Sequence, residues 1–485
     1  MTHKPIVFLL AALLLGGAPI HAAPADLPAS MSFPVALPQP GSFTLTLLHT
    51  NDLHGHILPF PYTEVGKSSA ENPSRGGAAR RATLIRSLRA KIHNPTLLVD
   101  AGDTFTRGPL SNAYEGVADV EAMNAVGYEM AAIGNNEFKG RDATQQGDFE
   151  GAQTALRRVI KRAKFPWVCA NVRASDGGLL EGVQPYVVRQ WNGVRVGFLG
   201  LTTKTSGGYP QTKGFVFTDP IEAAKEWIPK ARRDCDILIA LTHIGSDQDM
   251  LLASETTGLD AIVGGHSHTF LYTPLTAVNP DGAVIPIVQD GEFGVNLGRF
   301  DLTFLHDAKG WTLDKYHDEM IPIDKSTKDA PDVAAAIAPF TTPFLRDAGT
   351  IAQVGATPDE RLRITTQVLV DAMRRSTGAA VAINPSGGGM FVAFHSRTIS
   401  YYDLYAAMPF ANHIATASLT PNEIRALIAK KPKSVVSGEI PAGGTPVTVA
   451  FEDYEATSEY GILPTNLTDA HIDIRDSVRD FLHSR

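Results

Sequence analysis

Residues 43–56 read FTLTLLHTNDLHGH, a short apolar run that ends in a cluster of polar side chains. The β-branched, aromatic and apolar residues from Phe43 to Leu48 are typical of a buried strand. Asp52 and His54 follow shortly, so two side chains able to bind a metal lie just beyond the predicted strand end. Taken singly they are weak evidence, because an aspartate after a strand often caps a helix and a lone histidine is more often structural.

The same arrangement recurs at the ends of further β-rich runs. From Phe43 to about Ile323 these runs alternate with longer helical patterns, which predicts a layered α/β domain. Because open α/β sheets bind ligands beyond the carboxyl ends of their strands, we expect the motifs to converge on one site. The further motifs are Asp100-Ala101-Gly102-Asp103, Gly134-Asn135-Asn136-Glu137, Thr242-His243 and Gly264-Gly265-His266-Ser267-His268.

Seven side chains in these motifs are candidate metal ligands. A mixture of oxygen and imidazole donors suits Mn, Zn, Fe or Co, whereas Mg²⁺ and Ca²⁺ favour all-oxygen sites. The Asp103 carboxylate is free to bridge, so we expect two divalent metal ions, whose identity the sequence leaves open. The candidates are Asp52, His54, Asp103, Asn135, His243, His266 and His268.

These motifs resemble those of the calcineurin-like metallophosphoesterases, and within them the bacterial secreted 5'-nucleotidase and UDP-sugar hydrolase group. The resemblance covers nearly all of the mature chain. It implies a four-layer α/β/β/α metallophosphoesterase domain followed by a smaller α+β 5'-nucleotidase-type C-terminal domain. It also implies that one ion is held by Asp52, His54, Asp103 and His268, and the other by Asp103, Asn135, His243 and His266.

The implied activity is metal-dependent hydrolysis of a nucleotide or nucleotide-like phosphoester through a metal-activated hydroxide. Two alternatives stay open. One is a thiosulfohydrolase-like sulfur-oxidation enzyme, which shares this architecture, and the other is a binding protein that retains its metals with little turnover. The complete ligand set argues against the binding protein, because a site used only for binding would not need an intact two-metal cage.

The chain departs from the family at the residues that resemble its catalytic dyad. The family reads Gly-Asn-His-Glu-Phe-Asp, whereas residues 134–139 here read GNNEFK, so Asn136 and Lys139 replace the histidine and the aspartate. Asn136 can donate a hydrogen bond to a phosphoryl oxygen but cannot act as a general acid. We therefore expect slow turnover, a restriction to good leaving groups, or another proton donor, for which Arg107, Lys139 and His56 are candidates.

The C-terminal domain keeps part of the family's nucleotide-binding pattern. The resemblance assigns base stacking to Phe410 and a hydrogen bond to the base to Asn412. Where the family has a substrate-binding arginine, this chain has Phe391, which leaves Arg361 or Arg363 as replacements. A second stacking aromatic survives at most as Tyr460. Contact with only one face of the base predicts weak base selectivity, because stacking tolerates any base.

Four segments are expected along the chain. A cleaved signal peptide is predicted over residues 1–22. The prediction rests on Lys4, on the apolar run that follows it and on a small-residue site near Ala22. The metallophosphoesterase domain is expected over 42–325, a proline-containing connector over 326–360, and the substrate-binding domain over 361–485. The signal peptide predicts a secreted or periplasmic protein.

Composition narrows the class of partner. A net charge of -8 argues against a nucleic-acid polymer, because phosphate-backbone binding needs an excess of lysine and arginine. After the predicted signal peptide, no segment of the sequence is apolar and long enough to cross a bilayer, so we expect no stable membrane insertion. The expected partner is a small phosphoester substrate. Cys169 and Cys235 are expected to be buried thiols, although export would permit a disulfide. The oligomeric state stays open.

Overall fold

The computed structural model describes residues 41–62, 72–106, 108–139, 149–308, 310–390, 392–410 and 412–484. The predicted signal peptide, Arg107 and Phe391 lie outside these residues. All the described residues belong to one compact unit of the chain. The helices of the described ranges include none that is long and apolar enough to cross a membrane.

Most of the secondary structure of the described residues falls in the N-terminal domain. Its strands are β1 Ser42–Thr50, β2 Phe60–Tyr62, β3 Asn72–Arg75, β4 Thr96–Asp100, β5 Met130–Ala132, β6 Trp167–Val168, β7 Val172–Ala174, β8 Val183–Gln184, β9 Tyr186–Trp191, β10 Val194–Thr202, β11 Phe215–Phe217, β12 Ile237–His243, β13 Ala261–Val263, β14 Leu275–Val278, β15 Val284–Val288, β16 Asn296–Asp307 and β17 Gly310–Pro322. Its helices are α1 Ala78–Arg89, α2 Pro109–Tyr114, α3 Val117–Val126, α4 Phe149–Arg162, α5 Pro220–Asp234 and α6 Ser246–Glu255.

The remaining elements form the connection and the C-terminal domain. The helices are α7 Pro331–Thr341, α8 Pro358–Thr377, α9 Tyr401–Ala407, α10 Pro421–Lys430, α11 Asp453–Ser458 and α12 Ile474–His483. The strands are β18 Asp347–Thr350, β19 Val381–Pro385, β20 Thr398–Ser400, β21 His413–Leu419, β22 Ser434–Ser437, β23 Val447–Glu452 and β24 Thr468–Asp473.

Two sheets form the centre of the N-terminal domain. One has the strand order β17-β16-β1-β4-β5-β6-β8 and the other β14-β15-β13-β12-β10-β9. Buried side chains from both sheets, such as Leu45, Val99, Phe198 and Ile239, share one core. Two further cores cover the outer faces, one with α1, α3 and α4 and the other with α5 and α6. The predicted four-layer α/β/β/α architecture is confirmed.

Parallel pairing brings the strand ends of each sheet level with one another. Thr50 at the end of β1 lies opposite Asp100 at the end of β4. In the second sheet Thr202 lies opposite His243, and Leu241 lies opposite Val263. The loops that carry the motifs therefore leave both sheets at one edge.

The C-terminal domain is built on a sheet of order β22-β19-β23-β21-β24. Helices α8, α9 and α12 pack on one of its faces, and α10 and α11 pack on the other. This α+β arrangement agrees with the predicted class of the second domain. The expected connector contains α7, whose Val333 and Ile337 pack in the same core as α1 and α3. The predicted domain boundaries stay predictions.

The two cysteines are free and buried, as expected.

Candidate metal centre

Six of the seven predicted ligands come together in two groups at the common edge of the sheets. Each group brings its three ligand atoms within 4.8 Å of one another. The chain supplies them from the loops after β1, β4 and β13 and from the last residue of β12. The groups are Asp52, His54 and His268, and Asp103, His243 and His266.

The carboxylate of Asp103 reaches both groups. Its Oδ2 atom lies 3.1 Å from Nε2 of His243 and 3.6 Å from Nε2 of His54. Asp52 makes similar approaches within its own group, with Oδ1 3.1 Å from Nε2 of His268 and 3.6 Å from Nε2 of His54. One oxygen shared between two groups is the geometry that a bridging carboxylate requires.

Three of the candidate ligand atoms are buried and lack the partners that buried protein atoms normally have. Oδ1 of Asp52, Nε2 of His243 and Oδ1 of Asn135 make no hydrogen bond within the described part of the chain. Buried polar atoms are almost always satisfied, so a convergent set of exceptions indicates an absent partner. Carboxylate and amide oxygens and the nitrogen of a neutral imidazole present lone pairs, which suits them to bind a cation. Two divalent ions fit this donor set.

At Asp52 and His243, the other polar atom of the side chain is held by the protein. Oδ2 of Asp52 accepts hydrogen bonds from the amide of Asn51 at 2.8 Å and from the backbone N–H of His266 at 2.9 Å. Nδ1 of His243 donates to the carbonyl of Ala101 at 2.8 Å, which fixes the tautomer and leaves Nε2 as the ligand atom.

The backbone is strained at the same residues. Asp52, His54, Asp103, His266 and His268 have left-handed φ angles, from 45° at His54 to 81° at His266. Non-glycine residues seldom adopt this conformation, and where they cluster the fold is holding a functional geometry. Five of the six residues in the two groups share it.

The charges of the cluster indicate a site that attracts cations. Burial alone would lower the pKa of His243, but Asp103 and Asp52 outweigh it and raise that pKa to about 10. Burial alone would raise the pKa of Asp103, but His243 outweighs it, so this carboxyl stays ionised well below its usual range. At His266 burial and repulsion by His243 lower the pKa to about 4.

Glu292 is a functional residue that the sequence motifs did not reveal. Its Oε2 accepts a short hydrogen bond from Nδ1 of His268, and its Oε1 accepts from the hydroxyl of Tyr62 at 3.0 Å. A carboxylate behind a metal-binding histidine fixes the ring and raises its basicity. Glu292 follows β15 by four residues and carries no motif, so only the fold places it beside His268.

Glu137 and Gln289 organise the loops that carry the ligands. The Glu137 carboxylate accepts from the backbone N–H groups of Asp103, Thr104 and Gly134 at 2.6–3.1 Å. Gln289 accepts from the backbone of Thr269 and donates to the carbonyl of Gly265 at 3.1 Å. Glu137 lies within one of the sequence motifs, although the motif alone predicts no role for it.

Asn136 occupies the place of the absent histidine and faces Asp103. Its backbone N–H donates to Oδ1 of Asp103 at 2.7 Å, and its amide makes a short hydrogen bond to Oδ2. Of the other candidate donors, Lys139 lies 4.7 Å over the ring of Tyr209. His56 donates from Nδ1 to the carbonyl of Leu53 at 3.1 Å, and burial and nearby His54 lower its pKa to about 4. A neutral imidazole is a poor proton donor.

The candidate substrate residues of the C-terminal domain lie in different surroundings. Asn412 is buried, and its amide donates a short hydrogen bond to Glu452. Phe410 is partly buried beside Pro409, whose carbonyl accepts from Asn112 of the N-terminal domain at 3.0 Å. Arg363 is exposed on α8.

Arg361 and Tyr460 were the further candidates in this domain. Arg361 is partly buried and donates to the carbonyl of Ala356 at 3.4 Å. Tyr460 is 3% exposed, shares a hydrogen bond of 2.7 Å with Ser434 and packs against Phe451. Its ring is therefore part of the core and presents no face for stacking on a base.

Paired candidate metal sites at the strand ends of an α/β/β/α fold define the metallophosphoesterase class. Residues 45–270 match the calcineurin-like phosphoesterase family, and residues 349–458 match the 5'-nucleotidase C-terminal domain. The chain therefore carries a calcineurin-like phosphoesterase domain followed by a 5'-nucleotidase C-terminal domain.

Individual relatives agree with this assignment. The trifunctional nucleotide phosphoesterase protein YfkN of Bacillus subtilis (strain 168) is 30% identical over 460 residues, which are 87% of this chain and 29% of that protein. The 5'-nucleotidase precursor from Thermus thermophilus has a TM-score of 0.66 and 27% identity over 91% of this chain and 96% of that chain. The chain spans 29% to 57% of the length of the curated relatives it matches.

The fold is also similar to that of a sulfate thiohydrolase. The sulfate thiohydrolase SoxB from Thermus thermophilus has a TM-score of 0.63 and 18% identity over 92% of this chain and 95% of that chain. At this identity the likeness extends to the fold alone.

Proposed function

We propose that this chain is an extracytoplasmic hydrolase with two divalent metal ions that acts on nucleotides or nucleotide-like phosphoesters. The position of Asp103 carries the proposal, because its Oδ2 lies between His54 of one ligand group and His243 of the other. This arrangement supports two ions a few ångströms apart. When bound, such a pair activates water and offsets the charge of a phosphoryl group.

The residues of this chain would divide the remaining work. Asp52, His54 and His268 would hold one ion, Asp103, Asn135, His243 and His266 the other, and Asp103 would contact both. Glu292 would orient His268, and the carbonyl of Ala101 would orient His243. Because these groups are held before substrate arrives, little reorganisation is needed at the moment of reaction.

Protonation of the leaving group is the weak step of this site. Asn136 cannot release a proton, and its amide is directed at Asp103. His56 is neutral at physiological pH, since its pKa is about 4. We therefore expect efficient hydrolysis only where the leaving group is stable without a proton. Positioned acid catalysis typically raises the reaction rate by about 10²–10⁴-fold. Hydrolysis of an ester with an alkyl leaving group should be slower by a factor of that order.

An extracytoplasmic location is part of the proposal and is supported by the first 22 residues. A lysine followed by an apolar run and a small-residue site is the pattern of a cleaved signal peptide. Expression with and without these residues, followed by fractionation, tests it. Recovery of the complete chain in the cytoplasm at its full-length mass would contradict it.

A substrate panel tests the activity. The purified protein, supplied with Mn²⁺ or Co²⁺, is expected to hydrolyse p-nitrophenyl phosphate or a member of a nucleotide panel. Asp103→Asn should abolish turnover while preserving the fold by circular dichroism, and Asp176→Asn on an exposed turn is the matched control. If the protein binds metal but hydrolyses no phosphoester, the proposal is wrong. Turnover of a thiosulfonate ester alone would favour the sulfur-oxidation alternative.

A further inference from the structure

A cavity of about 460 Å³ opens directly beside the metal centre. His268 and Glu292 lie at its edge, and rings of Phe60, Tyr62 and Phe293 line its wall. Ala393 and Ala406 of the C-terminal domain lie among the residues of the other side. Its size is within the range of small-molecule sites, and its position lets a ligand reach the metal ligands and the cavity together.

The aromatic wall is arranged before any ligand arrives. The ring of His56 lies 4.2 Å from Phe293 and 4.3 Å from Phe60, centroid to centroid. Tyr62 meets Phe60 and Phe293 edge to face at 5.8 and 6.2 Å. The rings support one another, yet Phe60, Tyr62 and Phe293 all stay partly exposed. Ring surface is therefore available to the cavity.

Two hydrogen bonds hold this wall at a set distance from the metal ligands. The backbone N–H of Phe293 donates to the carbonyl of Asp52 at 2.7 Å, and Phe293 has a left-handed φ of 58°. The hydroxyl of Tyr62 donates to Glu292 at 3.0 Å, and Glu292 in turn accepts from His268. A ligand that packs against these rings would therefore lie at a fixed distance from the metal ligands.

The charge of the cavity narrows the chemistry of its occupant. The described residues that line it include the carboxylates of Glu292 and Asp403 and the imidazoles of His56, His268 and His395, but no lysine or arginine. The imidazole of His268 is already hydrogen-bonded to Glu292. Such surroundings disfavour a second phosphate and favour a neutral group. Aromatic faces accept any planar ring by stacking, without selecting one base.

We propose that this cavity, with Phe60, Tyr62 and Phe293 as its stacking wall, binds the neutral aromatic part of a phosphomonoester whose phosphate lies at the metal centre. The proposal rests on the proposed function and adds the substrate class. An aromatic group linked through one phosphate is accommodated, and a polyphosphate chain is disfavoured. The stacking wall lies on the N-terminal domain, and the described residues that line the cavity include neither Phe410 nor Asn412.

Calorimetry on the manganese-loaded protein with phenylphosphonate and methylphosphonate tests the proposal. Both probes carry the same anionic group, so the ratio of their dissociation constants measures what the aromatic ring contributes to binding. We expect phenylphosphonate to bind at least about tenfold more tightly, in the range that base stacking gives. Phe60→Leu keeps an apolar side chain but removes one of the three rings, and should lower the ratio. Tyr454→Leu, at a ring 60% exposed on α11, is the matched control and should keep the wild-type ratio.

The outcomes separate this proposal from the proposed function. Equal binding of the two probes to the wild type, or an unchanged ratio in Phe60→Leu and Phe60→Ala, overturns the aromatic site even if phosphoesters are hydrolysed. A Phe60-dependent ratio without hydrolysis of any phosphoester supports the site and overturns the proposed function. Metal content and thermal unfolding of each variant establish that the fold is retained.

Discussion

The two carboxylate oxygens of Asp52 face different partners, and this division recurs at other ligands. Oδ2 accepts two hydrogen bonds from the protein, whereas the buried Oδ1 makes none within the described residues. His243 likewise uses Nδ1 for a backbone carbonyl and keeps Nε2 buried without a hydrogen bond to any described residue. In each side chain one polar atom is held by a hydrogen bond to the protein, and the other is left to bind a metal ion. The residues that make these hydrogen bonds therefore help to set the geometry of the metal ligands.

Replacing Glu292 with glutamine should weaken one ion more than the other. The variant keeps the shape of the side chain but removes the charge that supports His268. Loss of such a partner typically lowers metal affinity by about 10–100-fold. Competition of the protein with a chromophoric chelator, together with the absorption spectrum of the Co²⁺-loaded protein, measures the two affinities. Glu319→Gln, at an exposed position on β17, is the control, and equal affinities in the two variants would contradict the role of Glu292.

Restoring the dyad should extend the range of leaving groups. Asn136→His with Lys139→Asp supplies an imidazole and a carboxylate to orient it, and so a proton for the departing oxygen. We expect kcat/KM for alkyl phosphates to rise at least about tenfold, a conservative part of the acid-catalytic contribution. The rate for p-nitrophenyl phosphate should change little. An unchanged or lower rate for alkyl phosphates would mean that the site depends on the Asn136 contact with Asp103.

Among the secondary-structure elements, strands that end at the same edge do not form the site by themselves. The loops that follow these strands must also be joined to one another by hydrogen bonds. Glu137 on the loop after β5 holds backbone N–H groups of the loop after β4. The two loops approach so closely that a Cβ on Gly134 would lie 2.3 Å from the Asp103 carboxylate. Only glycine fits at that position. The motif residues that are not ligands therefore build the contact between neighbouring loops.

Glu137→Ala should destabilise the domain and the metal site together. It leaves the buried N–H groups of Asp103, Thr104 and Gly134 without their acceptor, at a cost of about 3 kcal/mol or more. We expect a lower thermal midpoint and weaker metal binding, measured by differential scanning calorimetry and by the metal retained after dialysis. Glu181→Ala, where the side chain is 84% exposed, should change neither. A wild-type midpoint in Glu137→Ala would contradict this role.

At the scale of the whole molecule, the site depends on long-range packing. Ligands from both sheets meet because the sheets share one core and end at one edge. The C-terminal domain completes the cavity beside them. Strained backbone and buried charged groups concentrate at this junction, so the bound ions should contribute to the stability of the entire fold.

Removal of the metals should lower stability, and the loss should grow with pH. Without ions, the pKa of His243 is about 10, above its ordinary value. Its proton therefore stabilises the folded protein fully below about pH 6.5, and this contribution is lost as the pH rises towards the folded-state pKa. Bound ions need the neutral imidazole and bind more tightly as pH rises.

Thermal unfolding with Mn²⁺ and with EDTA at about pH 6, 7.5 and 9 measures this effect. Free ion at about 1,000 times its dissociation constant stabilises the folded state by about 4 kcal/mol per site. The gap between the two midpoints should therefore widen from the lowest to the highest of these pH values. A gap that narrows, or equal midpoints at every pH, would contradict a metal-stabilised fold.

The repeated strand-and-motif pattern, the layered α/β fold and the six side chains of the two ligand groups could be predicted from the amino-acid sequence. They could be predicted because strand patterning and ligand chemistry are local properties of the chain. Three features became visible only in the folded chain: Glu292 supports His268, the Asn136 amide faces Asp103, and Tyr460 is buried. These contacts join residues up to 33 positions apart in the chain, and their partners are chosen by packing, which no local pattern encodes.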